Sequence, residues 1–148
     1  MEVKSELSSG LSEGMSLPGL KKYITQEQIN LYAEASQDFN PIHIDDDFAR
    51  KTPLGGTIAH GMLILAYVSQ MMTATFGRDW LVGGKLNIRF KEPARPGDTV
   101  TVSGRISELE KNDKETVISC DVQCSNQKND LIITGGAQLE VKNNEDSY

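Results

Sequence analysis

From His60 to about Thr75 the chain reads HGMLILAYVSQMMTAT, apolar on nearly every side, with Ser69 and Gln70 the main interruptions. A helix of that composition belongs in a core, enclosed over most of its circumference. Its sixteen residues would span ~24 Å, about the width of a small sheet. The next segment has the pattern of such a sheet. From Leu81 the period switches to two: Leu86, Ile88 and Phe90 alternate with Lys85, Asn87, Arg89 and Lys91. After a turn at 92–98 (EPARPGD), the sets Val100, Val102, Ile106, then Ile118, Cys120, Val122, Cys124, and after a turn at 126–130, Ile133, Ala137, Leu139, Val141 repeat the alternation. This predicts four strands in sequence, paired as an antiparallel meander. Helices followed by strands place the chain in the α+β class, with the apolar helix packed against one sheet face.

Upstream, residues 14–25 read as an extended lead-in. Thr25-Gln26-Glu27-Gln28 then supplies a capping box, with Ile24 and Ile29 spaced as a hydrophobic staple. The helix starting there carries Ile29, Tyr32 and Ala33 on one face and stops before Asn40-Pro41, because the residue before a proline avoids helical geometry. Asp45-Asp46-Asp47 precede Phe48-Ala49-Arg50-Lys51, the order of charge that favours a short helical turn. The three aspartates read as a solvated helix start rather than a metal site, since consecutive side chains diverge. Gly55-Gly56, Gly83-Gly84 and Gly135-Gly136 lack the spacing of a nucleotide-binding loop and read as turns or bulges.

A length of 148 residues suits one domain, expected over 13–141, with polar tails at 1–12, disordered, and 142–148. The net charge of −6 opposes binding to nucleic acid or to an anionic membrane. No apolar stretch reaches the length of a membrane span and the N-terminus lacks a basic segment followed by an apolar run, so a cytoplasmic location is expected. Cys120 and Cys124 fall four residues apart in an alternating segment, ~13 Å on an extended strand, too far to bridge, and read as reduced, buried residues.

The chain has two histidines, His43 and His60, both in glycine- or proline-containing context outside the long elements. Asp38 precedes His43 by five residues in SQDFNPIH, and a carboxylate and an imidazole on such a loop can converge as a proton-handling pair. From these residues alone the plainer reading stays open: Asp38 as a turn ligand and His43 as a surface histidine.

The two segments together resemble the signature of the MaoC-like, (R)-specific enoyl-CoA hydratases. They are Ser36, Asp38, Asn40, Pro41 and His43 in an S-x-D-x-N-P-x-H pattern, followed by Thr57-Ile58-Ala59-His60-Gly61-Met62-Leu63 at a helix start. PARPGDTVTVSGRI (93–106) is similar to the family's P-V-x-x-G-D-x-V turn and strand, so the resemblance spans about 13–141. It implies a hot-dog fold, a long central helix wrapped by a curved antiparallel sheet, paired as a homodimer. It also implies cofactor-free, metal-free hydration of a trans-2-enoyl thioester to the (R)-3-hydroxyacyl thioester.

Carried over by residue, Asp38 and His43 match the catalytic pair that holds a water, and Gly61 matches the residue whose N–H polarises the thioester carbonyl. A helix N-terminus suits that second role, since its free N–H groups and dipole favour developing enolate charge. Asn40 is expected to shape its loop through Asx-type bonds, and His60 to cap the helix and brace Gly61. Ser69 falls where related hydratases place a serine near the pair; its alternative is a hydroxyl bonded back to the helix backbone. All three are candidate substrate contacts.

Lys85, Arg89, Lys91 and Arg95 put four of the fifteen basic residues into eleven positions. Lys85, Arg89 and Lys91 form a candidate docking strip for an anionic thioester carrier, either coenzyme A or an acyl carrier protein. The competing readings are a 3-hydroxyacyl-carrier-protein dehydratase, as the catalytic half of a heterodimer, and a non-catalytic acyl-thioester-binding subunit. Intact Asp38 and His43 oppose the second.

Overall fold

The computed structural model describes residues 10–143. Residues 1–9 and 144–148 of the expected tails lie outside the described residues. Leu11 rests against the core, and the last strand continues through Lys142.

The elements run β1 (Leu20–Tyr23), α1 (Gln26–Ser36), α2 (Pro41–Ile44), α3 (Asp46–Arg50), α4 (Gly61–Phe76), α5 (Arg78–Gly83), β2 (Lys85–Phe90), β3 (Thr99–Lys111), β4 (Glu115–Ser125) and β5 (Leu131–Lys142). They form one antiparallel five-stranded sheet in the order β1-β3-β4-β5-β2, against which the helices pack: the α+β hot-dog architecture. The inward sets are Val100, Val102 and Ile106 of β3, Ile118, Cys120, Val122 and Cys124 of β4, and Ile133, Ala137 and Leu139 of β5. All are buried, in one cluster with Ile64, Val68, Met71, Met72 and Phe76 of α4. At Thr25 the capping box is present, its hydroxyl accepting from Gln28 N while the Gln28 side chain accepts from Thr25 N. Ile24 and Ile29 on either side are fully buried.

Four sequence expectations change. The sheet has five strands, because part of the lead-in, Leu20–Tyr23, pairs with β3. The strand expected from Leu81 begins at Lys85: Leu81 and Val82 lie in α5, a single helical turn that a short apolar run cannot distinguish from a strand. The meander holds only for β3-β4-β5, since β2 crosses to the far edge and pairs with β5. Strand β3 extends past Ile106 through a register shift between Ile106 and Glu108. That bulge returns Leu109 to the core-facing side and breaks the two-residue period that would have revealed it.

Gly135 and Gly136 are not a turn but the middle of β5, paired with both β2 and β4. A Cβ at Gly135 would run into the Asn87 carbonyl oxygen of β2, and one at Gly104 would meet Met71 Cε at 2.9 Å and Leu17 Cδ1 at 3.0 Å. These glycines let the neighbouring strand and the central helix approach the sheet closely. The helix is not enclosed all round: Met62, Ala66, Gln70 and Ala74, four residues apart, stay exposed along one stripe. Among the described residues, no helix is long and apolar enough to cross a membrane.

Cys120 and Cys124 are free and buried. Burial pushes both thiols up from 9.0, Cys120 to about 11, with Asp121 adding to the shift, and Cys124 to about 12. The unfolded chain therefore releases these protons first. Their contribution to stability is complete below about pH 9 and is lost as pH rises toward the folded values, by of order 1 kcal/mol per thiol per pH unit. The urea midpoint is expected to fall more between about pH 8.5 and 10.5 in the wild type than in a Cys120→Ala/Cys124→Ala variant. Equal slopes would refute the assignment.

Candidate active site

The site is built where three short segments meet beside the N-terminus of α4. Helix α1 ends at Ser36, and Gln37 adopts a left-handed conformation (φ 62°) that turns the chain outward. The Ser36 hydroxyl donates to Tyr32 O and accepts from Asp38 N, and one Asp38 carboxylate oxygen accepts from Asn40 N at 3.2 Å. Asn40 shapes the loop as its sequence suggests: its side-chain oxygen accepts from Ile42 N and caps α2, with Pro41 at the first helical position. His43 lies in that four-residue helix rather than in a loop. It is no surface histidine, being only 8% exposed.

The His43 ring nitrogen Nδ1 sits 2.8 Å from Ile58 O. A carbonyl only accepts, so Nδ1 carries the proton and Nε2 is the free lone pair of the neutral ring. His60, 2% exposed, stacks on His43 with centroids 3.9 Å apart at 25°, and Tyr32 tilts against its other side at 4.8 Å. His60 occupies the N-cap position of α4 but makes no capping bond with its side chain. Its Nε2 instead donates to Asp38 O at 3.0 Å, bracing the loop, while its buried Nδ1 has no partner among the described residues.

One ligand-type atom from each of Asp38, His43 and His60 lies within 4.8 Å of the others. The set does not suit a metal. An ion bound by both imidazoles must lie in both ring planes, whereas these rings are stacked and His60 Nε2 is engaged with a backbone carbonyl. A carboxylate beside an imidazole with one fixed proton and one free lone pair suits proton transfer.

Gly61, next in the chain after His60, opens α4, and its N–H has no partner among the described residues. A Cβ there would meet Phe90 Cε1 at 2.9 Å, so the ring of Phe90 packs directly against the glycine. Gly61, Ile58, Ile64, Phe90, Lys91 and Ile132 help line a cavity of about 230 Å³.

The other candidates separate. Ser69 Oγ accepts from the Trp80 indole N–H at 3.0 Å, a partner the sequence did not indicate, and among the described residues no hydrogen bond links it to Asp38 or His43. Lys85, Arg89 and Lys91 are exposed along edge strand β2 and just past its end. Lys91 follows the end of β2 and lines the Gly61 cavity, whereas Lys85 lines a basin of about 430 Å³ together with Asn87, Ser119 and Asp121. Sequence reasoning placed Gln26 in the capping box and Thr57 and Ile58 in the second motif segment, but missed that Gln26 and the Ile58 carbonyl hold His43 and that Thr57 bonds Gln26.

The model of the MaoC-like domain matches residues 13–128. The (R)-specific enoyl-CoA hydratase of Rhodospirillum rubrum is 34% identical over 99 residues, 67% of this chain and 68% of that protein. The 3-hydroxybutyryl-CoA dehydratase of Methylorubrum extorquens is 28% identical over 128 residues, 86% of this chain and 80% of that protein. Among solved structures, the (R)-hydratase from A. caviae involved in PHA biosynthesis superposes with a TM-score of 0.75 at 28% identity, covering 88% of this chain and 96% of that one. The chain belongs to the MaoC-like domain family. It is a hydro-lyase, the class that its named relatives share.

The Ser69 contact is testable by itself. Ser69→Ala leaves the indole N–H of Trp80, 5% exposed, without its partner and is expected to cost about 1–2 kcal/mol in urea unfolding. The same substitution in a Trp80→Phe background is expected to cost much less. Additive losses would show that the two groups do not interact.

Proposed function

We propose that this enzyme adds water reversibly to trans-2-enoyl-CoA, giving the (R)-3-hydroxyacyl-CoA, as a cytoplasmic, cofactor-free homodimer. The observation that carries the reading is the convergence of the Asp38 carboxylate and His43 imidazole beside a helix start whose first N–H is free. That combination supplies a base for water and, at the helix start that follows His60 in the chain, a donor for the thioester oxygen.

Water lies between Asp38 and His43 and attacks C3 as its proton passes to His43 Nε2, the lone pair left by the bond from Nδ1 to Ile58 O. The π electrons of the C2–C3 bond move onto the thioester oxygen, where the Gly61 N–H holds the enolate charge. The imidazolium returns its proton to C2 on the face that the oxygen entered, so H and OH are added in balance. Asp38 stabilises the transient cation.

The uncovered stripe of α4 supports a second copy. Met62, Leu81, Val82 and Phe90 are 58%, 70%, 75% and 52% exposed, and among the described residues β2 has a neighbour on one side only. An apolar helix stripe beside an open strand edge is a surface that another chain covers. The exposed Arg89 and Lys91 favour a phosphate-bearing carrier. An acidic carrier protein is the second reading, favoured by the outward-facing Lys85 and Arg89 on that edge strand.

Asp38→Asn and His43→Ala are each expected to lower kcat/KM for crotonyl-CoA by ~10²–10⁴-fold, with the fold retained by circular dichroism; full activity in both would end the lyase reading. Chiral analysis of the product is expected to give the (R) alcohol. Turnover of carrier-protein esters with silence on all coenzyme A esters would select the second reading. Arg89→Glu/Lys91→Glu is expected to raise KM with little change in kcat, and unchanged kinetics would remove the docking role.

A further inference from the structure

We propose that Gln26, at the first position of α1, is a positioning residue for His43, and that with Thr57 it forms a clamp that sets where the imidazole lone pair points. The inference rests on the reading of His43 as the base.

The Gln26 side-chain Nε2 donates to the backbone carbonyl of His43 at 2.7 Å, a contact that spans seventeen residues of chain. Its Oε1 accepts from the Thr57 hydroxyl at 2.7 Å, across thirty-one residues. The second Nε2 proton faces Asn30 Oδ1 at 3.0 Å, one turn along α1. The amide orientation follows from chemistry, since the His43 carbonyl can only accept. One amide thus joins three segments: the start of α1, the end of α2 and the strand-like stretch before α4.

The two outer ends of this clamp are the two supports of the catalytic ring. Helix α2 has four residues, too few to hold itself by its own hydrogen bonds, and His43 O lies at its C-terminal end, where helical carbonyls lack intrahelical partners. Gln26 supplies that partner. On the other side, Thr57 is 6% exposed and directly precedes Ile58, whose carbonyl takes the Nδ1 proton and whose N–H donates to Ile42 O at 3.1 Å. By gripping both His43 O and Thr57 Oγ, Gln26 fixes the separation of α2 from the Ile58 carbonyl. That separation decides whether Nδ1 is engaged and Nε2 is left free.

A residue that acts in this way changes turnover more than binding, because it touches no part of the substrate. Gln26→Leu keeps the side-chain bulk but removes both clamp bonds, together with the one to Asn30. It is expected to lower kcat ~10–100-fold with KM within about twofold, and to speed hydrogen exchange of the His43 Nδ1 proton in the imidazole NMR spectrum. Thr57→Val removes only the second bond and is expected to give a smaller loss of kcat. Added to Gln26→Leu it should cost nothing further, the non-additivity of a single unit. Wild-type kcat in Gln26→Leu, or a loss carried wholly by KM, would overturn the clamp. If Gln26→Leu does not fold, Thr57→Val decides alone, and unchanged kcat with an unchanged Nδ1 exchange rate overturns it. Parallel Asp38→Asn and His43→Ala variants separate the failures: activity surviving in those refutes the base itself, whereas their inactivity beside a fully active Gln26→Leu refutes only the clamp.

Discussion

The structure depends on burying a helix that is apolar on almost every side. Helix α4 cannot be hidden by a flat sheet, which covers one face only, so the strands must bend around it and pack closely. Gly104 and Gly135 sit where a Cβ would strike Met71 of the helix or the backbone of β2, and the bulge after Ile106 keeps a long strand facing inward as it curves. Burial of Ile64, Val68, Met71 and Met72, each at most 1% exposed, sustains that curvature at roughly 1.5–3 kcal/mol per fully buried side chain.

Enclosure has a chemical product. A helix gripped along its length presents its N-terminus in a fixed place, and the chain that leads into it brings His60 against His43. The reactive groups themselves lie on a loop and a four-residue helix, elements with little stability of their own. Their precision comes from outside: the Asn40 cap, the Ile58 carbonyl, the brace from His60 to Asp38 O and the Gln26 amide.

The sequence was most readable where one physical rule acted alone. The helix at 61–76 followed from composition, the capping box at Thr25 from spacing, and four of the strands from a period of two. It was least readable where tertiary contact overrode the local pattern. Leu81 and Val82 look like strand residues and became a helical turn. The glycines of β5 look like a turn and instead admit a neighbouring strand. Leu20–Tyr23 has no strong period and became a strand because β3 lay beside it. At the site, Asp38, His43 and Gly61 were marked by their motif, and Asn40 by its place before a proline. Gln26 was not, since its partners lie seventeen and thirty-one residues away, and Ser69 was drawn to Trp80 by packing that no spacing encodes.

The strand order has a consequence for synthesis. Strand β1 waits for β3, about eighty residues downstream, and β2 waits for β5, the latest of these five strands in the chain. Until residues 131–142 leave the ribosome, β2 has no partner and the central helix has an incomplete cover, so a methionine-rich apolar surface and an open strand edge are presented to the cell together. Such non-local pairing makes for slow folding and for a nascent chain exposed to aggregation. The C-terminal strand lies far from Asp38 and His43 in sequence, yet its arrival closes the fold around the helix that positions them.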